Sequence, residues 1–293
     1  MKRNKDIPEI RDDEIRVIGG SQSGGNTRGK WWKPAAVTLA VAAGIVIAVL
    51  QLRRQDGPVV QEEAGQEEVV RGLYEQEEME DGVQSARAYV EVEERTISGV
   101  PVRIFTPVGG EPSLMTGVPD FGDSSIVFIA QAADIRADNM QILGDFVLNG
   151  RQITTGKSKW GWCSIIDGQV SIGYDKEPAE LQEAIDKGGY FFRQYGLIVD
   201  GKYVKESSRW KYSSLRRALC LKNGECLIVE TLEPETFPRF SYVLEDLQVD
   251  AAIYLVGGES YGFARDRDGR KTEFGIFDPD VIFDNTSFIL WKF

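Results

Sequence analysis

Residues 249–261 read VDAAIYLVGGESY, and this stretch says most about the fold. The apolar run that ends at Val256 is typical of a buried strand, and the pair Gly257-Gly258 ends it. Two adjacent glycines let a backbone turn sharply or lie against a ligand, and polar side chains just after a buried strand often form sites. The stretch therefore predicts a central strand followed by a candidate site at Glu259 and Ser260.

The composition excludes several classes of function. The chain has 293 residues, a formal net charge of −12 and no histidine. Its negative charge opposes nonspecific binding to nucleic acid, itself a polyanion, so no nucleic-acid partner is predicted. The lack of histidine excludes Ser-His-Asp and Cys-His catalysis and His-ligated zinc. Any chemistry must use carboxylates, Lys, Tyr, Arg or a metal held by oxygen ligands.

One long apolar run, PAAVTLAVAAGIVIAVLQL, occupies residues 34–52. As a helix it would span about 30 Å, close to the thickness of the hydrocarbon core of a bilayer. The sequence WWK precedes it and RR follows it, as interfacial anchors should. A cleaved signal peptide is the alternative, but no small-residue cleavage site follows before the arginines. The run therefore predicts a single transmembrane helix.

Basic residues before this run and an acidic stretch after it favour a cytoplasmic N-terminus. The predicted parts are a cytoplasmic tail (1–33), the transmembrane helix (34–52), an acidic linker (53–85) and one globular domain (86–293). In a bacterium this organisation describes a single-pass protein of the inner membrane whose C-terminal domain lies in the periplasm.

The globular domain is rich in short alternating and apolar runs that are typical of strands. Asn149-Gly150 and Asp167-Gly168 predict hairpin turns. Two amphipathic helices are predicted, one beginning with Pro178 and one starting near Thr236. Because each helix precedes an apolar strand, we expect an α+β fold with a mixed β-sheet and a few covering helices.

The three cysteines are Cys163, Cys220 and Cys226, and no C-x-x-C pair indicates a metal site. The turn signal Asn223-Gly224 lies between the last two. A two-residue loop would put their sulfurs on opposite faces of a hairpin, whereas a three-residue loop would set them opposite each other. A disulfide is thus one alternative, and we favour free buried thiols because unpaired cysteine is usually buried.

Four ordered segments of the globular domain resemble the phosphodiester glycosidase family. They are CSIIDGQVSIG from residue 163, GGYFFRQYGLIVDGKYV from 188, SSLRRALCLKNGECLIV from 213 and AAIYLVGGESYGFARD from 251. The family signature Leu-Asp-Gly-Gly-Gly-Ser appears here as LVGGES at residues 255–260. The resemblance implies a divergent bacterial member that hydrolyses sugar phosphodiester or glycosidic linkages in envelope or extracellular polysaccharide. Because Val256 replaces the signature Asp, an inactive domain that binds a glycan or an envelope partner is the second hypothesis.

Hydrolysis of a sugar phosphodiester requires a phosphate anchor, a carboxylic acid and a second carboxylate. The resemblance makes Arg216 the anchor, with an ordinary ion pair on a strand as the alternative. The role of the signature Asp cannot be carried over to Val256. We predict Glu259, three residues later in the same turn, as a catalytic carboxylate, with an exposed turn glutamate as the alternative. Gly257, Gly258 and Ser260 of the same turn are predicted to contact the substrate.

The segment that follows the apolar run 126–130 holds the other candidates. Asp134 stands near the position of an Asn in the family, and we predict Asp134 and Asp138 as acid/base groups. With Asn139 they also form a candidate set of ligands for a divalent cation, although no cofactor is predicted. Arg136 is a second predicted phosphate contact. A helix-starting cap is the alternative for Asp138 and Asn139.

Two further motifs have simpler alternatives. The sequence DRDG at 266–269 invites comparison with a calcium loop, but the rest of such a loop is missing, and we favour a hairpin turn. Trp160 and Trp162 offer aromatic faces for a sugar ring or only cover the sheet. The predicted partners are thus a glycan or sugar-phosphate substrate and, through residues 34–52, the membrane.

Overall fold

The computed structural model describes residues 15–16, 88–205 and 212–293. In this part of the chain 49% of the residues lie in strands and 11% in helices. Every strand pairing in it is antiparallel. The prediction of an α+β fold with a mixed sheet is therefore wrong, and the fold is mostly β. The two predicted helices exist, but they contain only eight and ten residues.

The predicted transmembrane helix, residues 34–52, lies outside the described residues. Within the residues that the structure describes, no helix is both long enough and apolar enough to cross a membrane. The fold predicted from the sequence, a mixed sheet preceded by a transmembrane helix, is therefore corrected to a mostly β fold without such a helix among the described residues. The linker (53–85) and, apart from residues 15–16, the tail (1–33) also lie outside the described part, and the periplasmic location stays a prediction.

The elements are numbered here in chain order. The strands are β1 (Ile15–Arg16), β2 (Tyr89–Ile97), β3 (Val100–Val108), β4 (Glu111–Thr116), β5 (Ile126–Gln131), β6 (Ile135–Arg136), β7 (Phe146–Leu148), β8 (Arg151–Thr154), β9 (Gly161–Ile166), β10 (Gln169–Tyr174), β11 (Tyr190–Gln194), β12 (Gly196–Val199), β13 (Lys202–Tyr203), β14 (Arg217–Lys222), β15 (Glu225–Thr231), β16 (Ala251–Leu255), β17 (Gly262–Arg265), β18 (Lys271–Phe274) and β19 (Ser287–Lys292). The helices are α1 (Ala179–Asp186), α2 (Phe237–Asp246) and a 3-10 helix (Pro279–Val281).

The strands form three large sheets and one short pair. The seven-stranded sheet has the order β13-β12-β16-β14-β15-β3-β2. The two five-stranded sheets have the orders β10-β9-β11-β7-β8 and β18-β17-β5-β19-β4, and β1 pairs with β6. Strand β16 lies inside the seven-stranded sheet between β12 and β14, as the apolar run before Gly257-Gly258 predicts.

Two-residue turns connect five of the antiparallel hairpins. In each turn both residues have positive φ, which is the backbone of a type I′ turn and explains why glycine stands second. The turns are Ser98-Gly99, Asn149-Gly150, Asp167-Gly168, Asp200-Gly201 and Asn223-Gly224. The predicted turns at Asn149-Gly150 and Asp167-Gly168 are confirmed, and the turn after β17 likewise confirms the hairpin at 266–269.

Helix α2 covers one face of the seven-stranded sheet. It begins after Thr236, whose hydroxyl accepts a hydrogen bond from the backbone N–H of Arg239 at 3.3 Å. Phe237, Phe240 and Leu244 form its buried stripe and pack with residues of β14, β15 and β16. Helix α1 places Ala184 in a smaller apolar cluster with residues of β7, β9 and β11. The apolar stripes of both helices are thus buried against sheets, as amphipathic patterns predict.

The hairpin of β14 and β15 decides the arrangement of the cysteines. Leu221 pairs with Cys226 and Cys220 pairs with Leu227, so the two sulfurs lie on opposite faces. Cys163 and Cys220 are buried, Cys226 is half-buried, and all three thiols are free. The prediction of free thiols is confirmed. Burial raises the pKa of the Cys163 and Cys220 thiols, and it raises the pKa of Cys226 to about 11.

We expect these thiols to react slowly in the folded protein. Thiolate is the reactive form, and a raised pKa leaves little of it at pH 8. Labelling with 5,5′-dithiobis(2-nitrobenzoate) at pH 8 should be slow, with Cys226 labelled first, and should become fast and complete in denaturant. Rapid labelling of Cys163 or Cys220 without denaturant would contradict this prediction.

Candidate functional site

The Gly257-Gly258 turn is packed against the chain that enters β14. The backbone N–H of Gly258 donates to the carbonyl of Leu215 at 2.9 Å. A Cβ atom on Gly257 would stand 2.3 Å from the same oxygen, and the N–H of Gly257 donates to the hydroxyl of Tyr254 at 3.1 Å. Both glycines are buried. The space that the missing side chains of these glycines leave is therefore filled by the protein's own backbone at Leu215, and not by a ligand.

Arg217, which sequence reasoning did not select, holds this turn together. One of its terminal nitrogens donates to the carbonyl of Val256 at 2.9 Å and to Ser260 Oγ at 3.0 Å. The other forms an ion pair with Glu230 at 2.5 Å, and the guanidinium lies 4.0 Å from the centre of the Phe274 ring. Ser260 Oγ in turn donates to the carbonyl of Val256 at 2.5 Å. Ser260, predicted to contact substrate, is thus engaged inside the fold.

Arg216, the predicted phosphate anchor, is also buried. Its Nε donates to the carbonyl of Glu235 at 2.8 Å, and one terminal nitrogen donates to the carbonyl of Tyr212 at 2.7 Å. Its guanidinium lies 4.1 Å from the centre of the Phe237 ring. It forms no ion pair with a carboxylate among the residues that the structure describes, so the alternative of an ordinary strand ion pair finds no support there.

Asp134 forms a buried ion pair with Lys159, whose ammonium also donates to Gln194. The Lys159 nitrogen lies 4.4 Å from the centre of the Tyr195 ring. Burial lowers the pKa of Lys159, and the charge of Asp134 opposes that effect. Within the described residues, Asp134 Oδ1 and Gln194 Nε2 are buried and make no hydrogen bond.

Tyr254 is close to several of the predicted residues: its hydroxyl contacts Gly257, and its ring centre lies 4.8 Å from that of Phe237, the ring that packs against Arg216. Burial raises the pKa of Tyr254, the charge of Arg216 opposes this rise, and the charge of Asp134 adds to it. The hydroxyl also accepts the hydrogen bond of Gly257. We call Asp134, Lys159, Gln194, Arg216 and Tyr254 the buried polar cluster. The structure brings the predicted Asp134, Arg216 and Gly257 into one neighbourhood.

The other predicted residues lie elsewhere. Glu259 is exposed, and its side chain makes no hydrogen bond or ion pair in the described part of the chain. Asp138 is exposed and bound to Arg136, which lowers the pKa of Asp138. Asn139 Oδ1 accepts a hydrogen bond from the backbone N–H of Gln141 at 3.0 Å. Among the described residues, no group of three or more Asp, Glu or Cys side chains is placed to hold a metal ion.

A cleft of about 790 Å³ is lined in part by Ser158 and Trp160, the sequence neighbours of Lys159 in the buried polar cluster. We call it the cationic cleft. Three of the residues that line it are cationic: Arg136, Lys157 and Lys176. Its polar neutral lining consists of Asn139, Gln141, Thr154, Thr155 and Ser158. None of the described lining residues is Asp or Glu. The lining also includes Trp160, whose side chain is well exposed (42%) and whose ring centre lies 5.8 Å from that of Tyr174.

A buried ion pair positions the walls of the cationic cleft. Arg193 Nε donates to Asp145 Oδ2 at 2.6 Å, and Asp145 Oδ1 accepts from the backbone N–H of Gly156 at 3.0 Å. The terminal nitrogens of Arg193 donate to the carbonyls of Lys159 at 3.2 Å, Asp175 at 3.0 Å and Lys176 at 2.9 Å. The loops that present Lys157, Trp160 and Lys176 are therefore fixed to one guanidinium.

Two cations of the cleft are bound to carboxylates at its rim. Arg136 forms two parallel hydrogen bonds with Asp138, from Nε at 2.8 Å and from a terminal nitrogen at 2.7 Å. Lys157 binds Glu177 at 2.6 Å and lowers the pKa of Glu177. The charge of Lys176 also contributes to lowering the pKa of Glu177, its neighbour in sequence. The cleft thus has positive charge at Arg136, the last residue of β6, and on the loops around Trp160.

Some residues of this region leave a signal in the sequence. Arg193 lies inside the run YFFRQ, and a charged residue in a buried strand needs a partner. Lys157 and Trp160 are close in the sequence, so one segment offers both a cation and an aromatic ring. The pairing of Lys159 with Asp134 leaves no such signal, because the fold alone brings them together.

Neither a family model nor a curated protein matches the chain. Solved structures resemble it at a distance. The catalytic domain of zebrafish N-acetylglucosamine-1-phosphodiester alpha-N-acetylglucosaminidase, auto-inhibited by its propeptide, is 12% identical with a TM-score of 0.47, over 70% of this chain and 82% of that one. A hypothetical protein from Synechocystis is 12% identical with a TM-score of 0.44, over 69% of this chain and 61% of that one. The predicted relation to phosphodiester glycosidases is thus supported only as a distant structural similarity, which assigns no residue a role.

We expect the substitution Gly257→Ala to destabilise the protein. The added Cβ would meet the carbonyl oxygen of Leu215 at 2.3 Å, and such overpacking costs about 1–3 kcal/mol. Urea unfolding followed by tryptophan fluorescence measures the loss. Gly168→Ala is the control, because a Cβ there meets no atom within 4 Å and only backbone strain opposes it. An unchanged unfolding midpoint for Gly257→Ala would contradict the packing role of this glycine.

Proposed function

We propose that this domain binds a glycan that bears negative charge, and that the cationic cleft is its binding site. The observation that supports this proposal is the lining of the cleft. It combines three cations and an exposed tryptophan with no described carboxylate. Its volume of about 790 Å³ is within the range of small-molecule sites, which is about 300–1,000 Å³.

Trp160 provides the surface for a sugar ring. The axial C–H groups of a pyranose form an apolar face, which packs against a flat indole ring while the hydroxyl groups remain free to form hydrogen bonds. Trp160 is exposed on the cleft, and the backbone N–H of Asp175 donates to its carbonyl at 3.0 Å. Aromatic side chains supply large contact area with few rotatable bonds, so little entropy is lost on binding.

The cations select for negative charge on the sugar. Arg and Lys form charge-assisted hydrogen bonds with phosphate and carboxylate groups, which are stronger than hydrogen bonds between neutral groups. The net charge of the chain is −12, so the average field of the protein repels an anionic ligand. Binding therefore depends on the local cations of the cleft. Because Arg193 and Asp145 hold their loops in place, the ligand need not order them, which lowers the cost of binding.

The cleft supports binding rather than hydrolysis. Enzymes that cleave glycosidic bonds use two carboxyl groups about 5–9 Å apart, on opposite sides of the bond. The described lining of the cationic cleft contains none. The hypothesis of a non-catalytic, glycan-binding domain is the one that this arrangement favours.

One observation favours hydrolysis as a second function. In the buried polar cluster a carboxylate and a guanidinium belong to one neighbourhood. Lys159, the partner of Asp134, lies against the Tyr195 ring, and Arg216 lies against the Phe237 ring, whose centre is 5.8 Å from that of Tyr195. Against this function, Asp134 and Arg216 are 2% and 1% exposed, and a substrate needs direct contact with both groups. A hydrolase at this position would therefore have to open before each turnover.

Trp160→Ala should weaken glycan binding by at least tenfold, because it removes the surface on which the sugar packs. Isothermal titration with tetragalacturonate and with phosphorylated maltotetraose measures the effect. Tyr242→Ala, which removes another exposed aromatic side chain on α2, is the matched control and should bind as the wild type does. Equal affinities for Trp160→Ala and the wild type would remove this residue from the site.

The hydrolytic function is tested with a panel of glycosyl phosphodiesters. Because the buried polar cluster is closed, we expect the protein to release no sugar above the uncatalysed rate. Release by the wild type that is lost in Arg216→Lys and retained in Arg239→Lys would contradict this expectation and establish the cluster as catalytic. Lysine keeps the charge of Arg216 but cannot reproduce its forked hydrogen bonding.

A further inference from the structure

Three aromatic rings form a continuous group on the five-stranded sheet of β18, β17, β5, β19 and β4. Phe121 belongs to the loop of residues 117–125, Phe277 belongs to the loop of residues 275–286, and Tyr261 directly precedes β17. The ring centre of Phe121 lies 5.2 Å from that of Phe277 and 5.3 Å from that of Tyr261. The centres of Phe277 and Tyr261 are 5.1 Å apart. We call this group, with its apolar neighbours Val118 and Ile276, the aromatic surface.

Much of the aromatic surface is open to solvent. Phe277 is 52% exposed, and Ile276 and Val118 are each 59% exposed. Phe121 and Tyr261 are half-buried and pack on buried apolar residues of the sheet, so the exposed side chains rest on a fixed base. Single apolar side chains are common on protein surfaces, whereas a contiguous exposed group marks an interaction site. The aromatic surface is therefore a candidate site for a partner.

The two loops of this surface carry only negative charge. They contain five aspartates and no lysine or arginine. Asp123 forms an ion pair with Lys292 at 2.9 Å, and Lys271 of β18 donates to the carbonyl of Phe121 at 2.8 Å. The other four aspartates are exposed and form no ion pair within the residues that the structure describes: Asp120, Asp278, Asp280 and Asp284. The rings therefore lie beside an excess of negative charge.

This charge decides which kind of partner the surface fits. The aspartates repel the anionic headgroups of a bilayer, and a symmetric contact between two copies would bring the same aspartates face to face. The net charge of −12 on the chain adds to both repulsions. A cationic segment with apolar side chains is instead attracted by the aspartates, and Lys and Arg also pack favourably on aromatic rings.

We propose that the aromatic surface is a docking site for a cationic amphipathic segment of a partner protein. The apolar face of that segment packs on Phe277, Phe121 and Ile276. Its Lys or Arg side chains approach the aspartates of the two loops. The aromatic surface shares no residue with the lining of the cationic cleft, so this inference does not depend on the proposed glycan binding.

The test uses the full chain and, as the probe, a fluorescein-labelled amphipathic peptide of leucine and lysine. Fluorescence anisotropy at low ionic strength measures its affinity. One analogue has glutamate in place of lysine, and another has serine in place of leucine. We expect the leucine–lysine peptide to bind at least about tenfold more tightly than either analogue, because only this peptide offers both charge and apolar contact. Equally tight binding of the serine analogue would show attraction by charge alone and would overturn the inference.

Phe277→Ala tests the apolar contact. It should weaken binding of the leucine–lysine peptide about tenfold, because aromatic side chains contribute much of the binding energy at interfaces. The matched control is Tyr242→Ala, since Tyr242 is 51% exposed on α2 and lies outside the aromatic surface. This control should keep the affinity of the wild type. Equal affinities for Phe277→Ala and Tyr242→Ala would contradict the inference.

The double variant Asp278→Asn/Asp280→Asn tests the charge. Asparagine keeps the side-chain oxygen with which Asp278 accepts the backbone N–H of Asp280 at 3.0 Å. Binding of the leucine–lysine peptide should weaken about threefold at low ionic strength, and this loss should disappear at high ionic strength. The control Glu91→Gln/Glu93→Gln removes two exposed carboxylates at the same spacing from β2, in another sheet. An equal loss in this control would indicate attraction by net charge and would sink the proposal.

Two further measurements examine the other possible occupants. If the wild type sediments as a dimer and Phe277→Ala as a monomer, a second copy covers the aromatic surface and the proposal is wrong. If the wild type but not Phe277→Ala binds vesicles of phosphatidylcholine and phosphatidylglycerol, the surface belongs to a bilayer and the proposal is wrong as well. We expect a monomer that does not bind the vesicles. A wild type that does not bind the leucine–lysine peptide would also overturn the inference.

Discussion

The buried ion pair between Arg193 and Asp145 is the interaction on which the candidate site depends. Both side chains are buried, so removing one partner would leave an uncompensated charge in the interior, which typically costs about 3–5 kcal/mol. The same two side chains bind four backbone groups, in the loops at Gly156, Lys159 and Asp175-Lys176. These loops are thus held in place by one buried ion pair.

The two regions of interest use charge in opposite ways. In the buried polar cluster, Lys159 and Arg216 contact a carboxylate, backbone carbonyls and aromatic rings, so both charges are satisfied inside the protein. In the cationic cleft two of the three cations form ion pairs with exposed carboxylates, and buried Arg193 holds the backbone carbonyl of the third, Lys176. The Gly257-Gly258 turn belongs to the first kind, since Arg217 and Leu215 occupy the space that a ligand would need.

Much of the local structure could be predicted because it depends on neighbours in sequence. Asn149-Gly150 determines a type I′ turn by itself, and the stripe that follows Thr236 determines a helix. The choice of strand partners depends on residues far apart in sequence, so the prediction of a mixed sheet was wrong. The choice of residues at the candidate site failed for the same reason. Arg216 and Arg217 are adjacent in sequence and point to opposite faces, and only the register of β14 tells which of them reaches the Gly-Gly turn.

The position of β19 affects how the domain is completed during synthesis. The two-residue hairpins join neighbouring strands and can form within about 10 μs. Strand β19 is the last in chain order, yet it lies between β5 and β4, where Ile289 pairs with both Ala130 and Leu114. Until β19 arrives, β5 and β4 each present a row of unpaired backbone groups. Such open edges recruit other chains, so the nascent domain is most exposed to aggregation in that interval.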